Sequence, residues 1–215
     1  MRFLGAMVIL CLSVHLSCAP APAPAPQAST RSSFKADPDS LSSLHVRLTV
    51  NPDDGTVTYL GWYDGRRNLL GAGGIVSALV GMEPPELHGQ LKRISDHELR
   101  FEGIDQNLIL WKKRFEIDDA GVNVVYQITN QRNEAFDAIV FSLADLPDAT
   151  ISGDNRDQYI QSPIASAHFR AQIANPNFTG EQMSPYAMRS ESRRLEPGES
   201  MELRMRWELS AARRE

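Results

Sequence analysis

The sequence predicts an all-β chain folded as an antiparallel β-sandwich in a single domain, and two features predict it. Apolar and polar residues alternate in several short segments separated by turn formers, which is the period-2 pattern of half-buried strands. No segment carries an amphipathic pattern of three helical turns to compete with them. With 215 residues, 42% of them hydrophobic, the chain has room for one domain with a real core. Two packed sheets fit this pattern better than a closed barrel.

The first eighteen residues have the composition of a secretory signal. Arg2 is the only early charge, and residues 3–16 form an apolar run that is short for a membrane span. Cys18 resembles the lipid-attachment cysteine of bacterial lipoproteins, although His15 stands where that motif usually has a small or aliphatic residue. Lipidation would place the protein on the periplasmic face of the outer membrane, since Ala19 gives no acidic retention signal. Ordinary signal-peptidase cleavage, the alternative, gives a periplasmic or secreted protein.

Residues 19–40 are predicted to be a tether. They open with APAPAPAP, whose alternating prolines favour an extended polyproline II spacer, and continue with a polar stretch of little apolar content. The folded domain is therefore predicted to span residues 41–210. It contains no cysteine, because Cys11 and Cys18 both precede it. Disulfides, thiol nucleophiles and cysteine-bound metals are thereby excluded from the domain.

The domain is predicted to begin with a hairpin. Apolar and polar residues alternate over residues 44–50, residues 51–55 are dense in turn formers, and residues 56–62 supply the partner strand. Residues 69–81 mix glycine with aliphatic residues without a clean period, so we predict a loop there with at most one helical turn. Leu99 and Phe101 predict a short strand after it.

A meander of three strands is predicted next. Residues 109–117 and 122–129 alternate clearly, and a short break between them suits a hairpin. The third strand, residues 136–143, is apolar on both parities, which predicts that it lies between other elements. After a polar, turn-rich stretch at residues 145–157, alternation resumes at residues 169–173.

The last strand is the clearest in the chain. Apolar residues occupy alternate positions from Met201 to Leu209, Glu and Arg lie between them, and a Glu-Pro-Gly-Glu turn precedes them. Trp111 and Trp207 are in phase with apolar neighbours, so both are predicted to lie in the core.

Several short motifs occur in an order that resembles a known family. They are Asp54-Gly55-Thr56, Asp64-Gly65-Arg66, Leu87-His88-Gly89, Thr129-Asn130, and Leu195-Glu196-Pro197-Gly198-Glu199 before the last strand. Together they resemble the galactose mutarotase-like β-supersandwich superfamily, which includes aldose 1-epimerases and non-enzymatic relatives. The resemblance covers most of residues 41–209. It implies a large twisted sandwich that recognises sugars in a cleft on one sheet.

The resemblance also implies an incomplete catalytic set. Epimerases of this family use a histidine as general acid and a carboxylate as general base, because ring-oxygen protonation and anomeric-hydroxyl deprotonation are coupled. His88 matches the family's sugar-contacting histidine. The acid histidine is expected just after Asn130, where residues 133–142 contain none. Glu181 and Glu191 match the base only loosely. The first hypothesis is therefore a carbohydrate-binding domain without catalysis.

Aromatic residues beside polar turns are further candidates for sugar contact, since a ring can stack on a sugar while neighbouring polar groups bond its hydroxyls. Together with His88, the substrate-binding candidates are Trp62, Tyr63, Arg66, Tyr159 and Tyr186. Ordinary loop packing is the alternative for each. His45, His97 and His168 show no metal-ligand spacing, so we predict structural histidines, no metal and no other cofactor.

Charge bears on the partners. A net charge of -5 without a basic stripe argues against nucleic acid. The expected partners are a carbohydrate and, through the lipid anchor, a membrane. Two alternatives remain open: a mutarotase-like sugar isomerase, and a structural or assembly lipoprotein of the envelope that binds another protein.

Overall fold

A computed structural model describes residues 37–62, 67–79, 81–82, 85–153, 156–163, 165–172 and 187–211. These residues form strands and connecting turns without a helix, which confirms the predicted all-β class. In chain order the strands are β1 (Ser40–Ser42), β2 (Val46–Val50), β3 (Val57–Trp62), β4 (Ile75–Leu79), β5 (His88–Ser95), β6 (Glu98–Ile104), β7 (Ile109–Ile117), β8 (Gly121–Asn130), β9 (Phe136–Ala138), β10 (Val140–Ala144), β11 (Thr150–Gly153), β12 (Asp157–Gln161), β13 (Ala165–Gln172), β14 (Ala187–Arg189), β15 (Arg193–Leu195) and β16 (Ser200–Ala211).

The described strands form two large sheets and one small one. The first sheet has the order β1-β2-β3-β4-β10-β14, and the second has the order β11-β12-β13-β16-β8-β7-β6-β5. A separate two-stranded sheet pairs β15 with β9. Every pair among them is antiparallel. The predicted antiparallel β-sandwich is confirmed.

One apolar cluster joins the two large sheets. Alternate residues of β2 and β3 meet those of β7, β8 and β16 in it, as expected when each sheet buries one face. Trp111 and Trp207 are 0% and 1% exposed, which confirms both as core residues. The Trp207 ring lies 5.6 Å from that of Phe169, centre to centre. The other faces of β7 and β16 carry the charged residues of these strands except Lys113, which is buried on the inner face of β7. The sequence alternation thus sets which face is buried.

The central strands follow the prediction, but the segment predicted as the third meander strand does not pair with β8. β7 pairs with β8, and the other neighbour of β8 is β16, from Ser200 opposite Thr129 to Glu208 opposite Gly121. Residues 136–143 divide between β9 and β10, which lie in different sheets. The prediction of a third meander strand is therefore wrong. β10 lies between β4 and β14, which confirms that this segment is flanked by other elements.

Seven described strands occur where none was predicted, namely β1, β4, β5, β11, β12, β14 and β15, and β11 lies within the stretch 145–157 that was expected to be turn-rich. β4 lies within residues 69–81, which we expected to be a loop, and its burial on both faces removes the alternation that marks a strand. β5 is the edge strand of the eight-stranded sheet and none of its residues is fully buried. Its large apolar residues, Leu91 and Ile94, are three positions apart, so its sequence shows no period of two.

The ordered chain reaches back before residue 41. Ser40 begins β1, and its N–H donates to the Asp37 carbonyl at 3.1 Å. The Arg93 guanidinium donates to the carbonyls of Asp37, at 2.8 Å, and of Ser40. The predicted signal, Cys18 and nearly all of the tether lie outside the described residues. Across the described ranges there is no helix with the length and apolar character of a membrane span.

Candidate functional site

The outer face of the eight-stranded sheet carries a group of polar and titratable side chains around His168. His168 lies directly opposite Tyr159 of β12 and, on its other side, opposite Glu208 of β16. Side chains opposite each other on neighbouring strands share a face and lie within contact distance. Their chain neighbours Phe169 and Trp207 point into the core, so these side chains point outward. We call the group the His168 cluster; it comprises Asp157, Tyr159, His168, Arg170 and Glu208.

The histidine is held from three sides. Its ring stacks on the Tyr159 ring with centroids 4.2 Å apart and an interplanar angle of 11°. Its Nε2 forms a hydrogen bond with the Asp157 carboxylate, and its Nδ1 lies 3.7 Å from the Glu208 carboxylate. The tyrosine remains 51% exposed. Stacking on His168 therefore holds the Tyr159 ring in place as a flat, partly exposed surface beside the Asp157 and Glu208 carboxylates.

Arginines link the cluster to its surroundings. Arg170 donates to Glu208 at 2.6 Å, and Arg206 lies 3.6 Å from the same carboxylate. Arg206 also donates twice to Asp118, at 2.7 and 2.8 Å. These hydrogen bonds hold the pKa of Asp118 below its usual value and raise the pKa of Arg206. The face thus presents paired carboxylates as acceptors and guanidinium groups as donors.

The structure separates the candidates that the sequence predicted. His88 begins β5, at one edge of the eight-stranded sheet, and its side chain is exposed. Tyr159 lies six strand positions away in the order of that sheet, about 29 Å at the usual strand spacing. Trp62 ends β3 in the other large sheet and packs, partly buried, against the core. Of this set, only Tyr159 belongs to the His168 cluster.

The remaining candidates cannot be placed in this way. Tyr63, Arg66 and Tyr186 lie outside the described residues, as does Cys18. Among the residues that are described, no three His, Cys, Asp or Glu side chains come together as metal ligands would.

In the sequence, the spacing of His168 to the other histidines fits no metal site, which predicts a structural histidine. The informative spacing is instead to Tyr159, across a hairpin whose connection contains Ser162 and Pro163. The Ser162 N–H donates to the Ala165 carbonyl at 3.1 Å. A hairpin closed at that point aligns residues 159 and 168. The position of the turn at Ser162 and Pro163 was therefore the feature of the sequence that could have predicted the pairing of Tyr159 with His168.

A pocket of about 230 Å³ forms a second site, lined by the turn between β2 and β3, by β4 and β10, by the segment before β5 and by Lys113. The Lys113 Nζ donates to the carbonyls of Asp54 at 2.9 Å and of Gly55 at 3.2 Å. It also lies 5.3 Å and 5.8 Å from the ring centres of Phe101 and Tyr126. Burial lowers the Lys113 pKa to about 7, and the charge of Asp54 opposes this shift. A lysine in this setting has reduced affinity for its proton.

No protein-family model matches this sequence, and no curated protein matches it. Solved structures do share the fold. A proposed aldose 1-epimerase from Escherichia coli K12 is 13% identical with a TM-score of 0.59, and the match covers 81% of this chain and 99% of that one. A galactose mutarotase-like protein from Lactobacillus casei ATCC 334 is 10% identical with a TM-score of 0.55, over 81% and 100% of the two chains. A galactose mutarotase related enzyme from Lactobacillus acidophilus is 5% identical with a TM-score of 0.55, over 82% and 98%.

At these identities the likeness shows the fold alone. The described domain has a galactose mutarotase-like fold, and this confirms the fold that the order of the sequence motifs implied.

Proposed function

We propose that this chain is a carbohydrate-binding domain that holds a sugar on the His168 cluster. The observation that carries the proposal is the Tyr159 ring, stacked on His168 yet 51% exposed, with carboxylates beside it. A sugar presents a face of C–H groups that packs on an aromatic ring, and a rim of hydroxyls that donate to carboxylates and accept from guanidinium groups. Asp157, Glu208 and Arg170 supply both kinds of partner. The fold shared with proteins named for aldose epimerisation and galactose mutarotation supports a sugar as the ligand.

We propose binding without turnover. Epimerisation needs one group to protonate the ring oxygen and another to deprotonate the anomeric hydroxyl. The Nε2 of His168 bonds to Asp157, its Nδ1 faces Glu208, and Tyr159 covers one side of its ring. An imidazole whose two nitrogens both face carboxylates of the protein is poorly placed to give a proton to a sugar. In this arrangement the histidine orients the tyrosine.

A mutarotase-like isomerase is the second candidate, and the same pairing favours it. A histidine beside two carboxylates contains the acid and base types that the reaction requires. His168 could act as the acid if a bound sugar displaced Asp157 or Glu208 from one of the imidazole nitrogens. Polarimetry of freshly dissolved α-aldoses distinguishes the two candidates, because only the isomerase accelerates the approach to anomeric equilibrium.

The direct test of binding is a thermal-shift screen of the purified protein against mono- and oligosaccharides. At least one sugar should raise the melting temperature in proportion to the logarithm of its concentration above Kd, since a ligand that binds only the folded state stabilises it. A panel in which no sugar shifts the melting temperature would contradict the proposal. Accelerated mutarotation would contradict binding without turnover and favour the isomerase.

We also propose that the protein is exported and held at the periplasmic face of the outer membrane by a lipid on Cys18. The support is in the sequence: an apolar run that ends at this cysteine, followed by an Ala-Pro spacer. A polyproline II segment extends about 3.1 Å per residue. A spacer of this composition suits a domain that is held off a membrane surface.

A further inference from the structure

The chain has four lysines, Lys35, Lys92, Lys112 and Lys113. Lys113 alternates with Lys112 across β7, so Lys112 points to solvent and Lys113 points between the sheets, where it is 2% exposed. We infer that the pocket beside Lys113 is a second ligand site, in which the lysine amine binds a short aldehyde or ketone as an imine. This site is separate from the His168 cluster, which lies on the outer face of the same sheet.

The pocket lies where β4 departs from β3. β3 and β4 pair at Val57 and Ile75. Beyond this pair, the pocket lies between β4 and the turn that carries Asp54 and Thr56. Lys113 lines the resulting pocket. Its volume of about 230 Å³ is slightly below the range of about 300–1,000 Å³ typical of small-molecule sites, so the ligand must be short.

The hydrogen bonds at Lys113 suit a neutral amine. An unprotonated amine has two N–H groups and one lone pair, whereas an ammonium has three donors and no lone pair. Nζ has two carbonyl acceptors, those of Asp54 and Gly55. Both N–H groups of a neutral amine are then satisfied, and its lone pair is left for an electrophile. The lowered pKa, about 7, agrees with this form being well populated at neutral pH.

The charged and titratable groups around the amine favour an uncharged electrophile. The Asp54 carboxylate and the two backbone carbonyls all place negative charge near Nζ, which disfavours an anionic ligand. Tyr126 packs on the other side, and burial raises its pKa, so its hydroxyl stays neutral. Ser77 lines the pocket, is 3% exposed, and its Oγ has no hydrogen-bond partner among the described residues. That hydroxyl can donate to a carbonyl oxygen, and the ligand would then satisfy a buried group that otherwise lacks a hydrogen bond within the described ranges.

The chemistry balances without a further reactant. The Nζ lone pair forms a bond to the carbonyl carbon, and the C=O pair moves to oxygen, which becomes the hydroxyl of a carbinolamine after proton transfer from nitrogen. Loss of that hydroxyl with the second nitrogen proton releases one water and leaves a C=N bond. No oxidation or reduction takes place. Apart from Thr56, the remaining lining, which includes Val76, Leu87 and Phe141, is apolar and suits a short alkyl group.

Reductive trapping tests the site in the full-length protein. Propanal and cyanoborohydride at pH 7 convert an imine to a stable alkylamine, and peptide mapping by mass spectrometry reports each lysine separately. An ordinary lysine, with a pKa near 10.4, is less than about 0.1% unprotonated at this pH. We expect Lys113 to be alkylated at least about tenfold faster than Lys112, although the Lys112 side chain is 47% exposed.

The comparison needs no variant that could fail to fold, because both lysines are measured in one sample. Ser77→Ala provides the second measurement and should slow the labelling of Lys113 while leaving that of Lys112 unchanged. Labelling of Lys113 no faster than that of Lys112 would overturn the inference. Equal labelling of Lys113 in wild type and Ser77→Ala would remove Ser77 from the site.

Discussion

Arg206 on β16 donates two hydrogen bonds, of 2.7 and 2.8 Å, to the carboxylate of Asp118, which lies in the turn between β7 and β8. Asp118 also accepts from the N–H groups of Ala120 and Gly121, at 2.8 and 3.0 Å. One carboxylate thus closes the hairpin of the two central strands and ties it to the final strand. Because Arg206 also approaches Glu208, this pair supports the edge of the His168 cluster.

The first prediction concerns acid stability. The folded-state pKa of Asp118 lies below the unfolded one, so its stabilisation is fully present above the unfolded value and is lost as the pH falls through the folded one. Asp118→Asn should lower the free energy of unfolding at pH 7 by about 0.5–1 kcal/mol, since the pair is partly exposed. The loss should shrink toward pH 2. Urea unfolding at both pH values measures it.

A double-mutant cycle with Arg206→Gln separates the pair from other effects of the substitution. If the losses from the two single variants simply add, Asp118 and Arg206 do not interact energetically and the account of this contact is contradicted.

The second prediction concerns Lys113 at alkaline pH. Its pKa is about 7 in the folded state against an ordinary value of 10.5, so between these values the unfolded chain holds a proton that the folded chain lacks. The free energy of unfolding should therefore rise with pH above 7, by up to about 1.4 kcal/mol per pH unit from this group. Unfolding measured from pH 7 to 9 avoids the opposite effect of Tyr126, whose raised pKa costs stability only above about pH 10.

Lys113→Met should flatten this rise, and Lys112→Met, on the exposed face of the same strand, should keep it. A pH dependence identical in wild type and Lys113→Met would show that the buried amine keeps an ordinary pKa.

The third prediction concerns the core. Trp207 is 1% exposed and packs on Phe169, so Trp207→Ala should lower the free energy of unfolding by about 3–5 kcal/mol. Arg204→Ala is the matched control on the opposite face of β16, where its side chain is 53% exposed, and should change stability by less than about 0.5 kcal/mol. Similar losses in both variants, measured by chemical denaturation, would mean that Trp207 does not fill the core.

Sequence alternation predicted those strands that bury one face and expose the other. β7, β8 and β16 are of this kind, and the Trp111 and Trp207 positions followed from their phase. β4 gives no alternation because nearly all of its residues are buried, and β5 gives none because its large apolar residues, Leu91 and Ile94, point to opposite faces of the strand. In neither strand do apolar and polar residues alternate regularly, which is the signal on which the strand predictions rest.

The site was harder to predict than the strands because it depends on pairing. The polar surroundings of Tyr159 in the sequence indicate a sugar contact, whereas His168 lacks the spacing of a metal ligand. The contact between Tyr159 and His168 follows from the register of the β12–β13 hairpin. Glu208 approaches His168 because β16 pairs with β13, although Glu208 comes 40 residues after His168 in the chain. Such non-local pairing is not encoded in a local pattern.

The fourth prediction concerns the anchor. If Cys18 carries a lipid, the wild-type protein should fractionate with membranes in a bacterial host and Cys18→Ser should move to the soluble fraction, because acyl chains supply the membrane affinity. Immunoblots of the two fractions measure the distribution. Equal solubility of wild type and Cys18→Ser would contradict lipidation and leave cleavage by ordinary signal peptidase.

The central claim is that the stacked Tyr159 and His168 rings form the sugar platform. Titration calorimetry with a sugar that stabilises the wild type tests it most directly when wild type, Tyr159→Ala and His88→Ala are compared. Tyr159→Ala should weaken binding at least about tenfold, because the sugar packs on the exposed ring and each Å² of apolar surface buried contributes about 25 cal/mol. His88→Ala, six strand positions away in the same sheet, should leave the Kd unchanged. An unchanged Kd in Tyr159→Ala, with weaker binding in His88→Ala, would contradict the claim and place the sugar at the β5 edge.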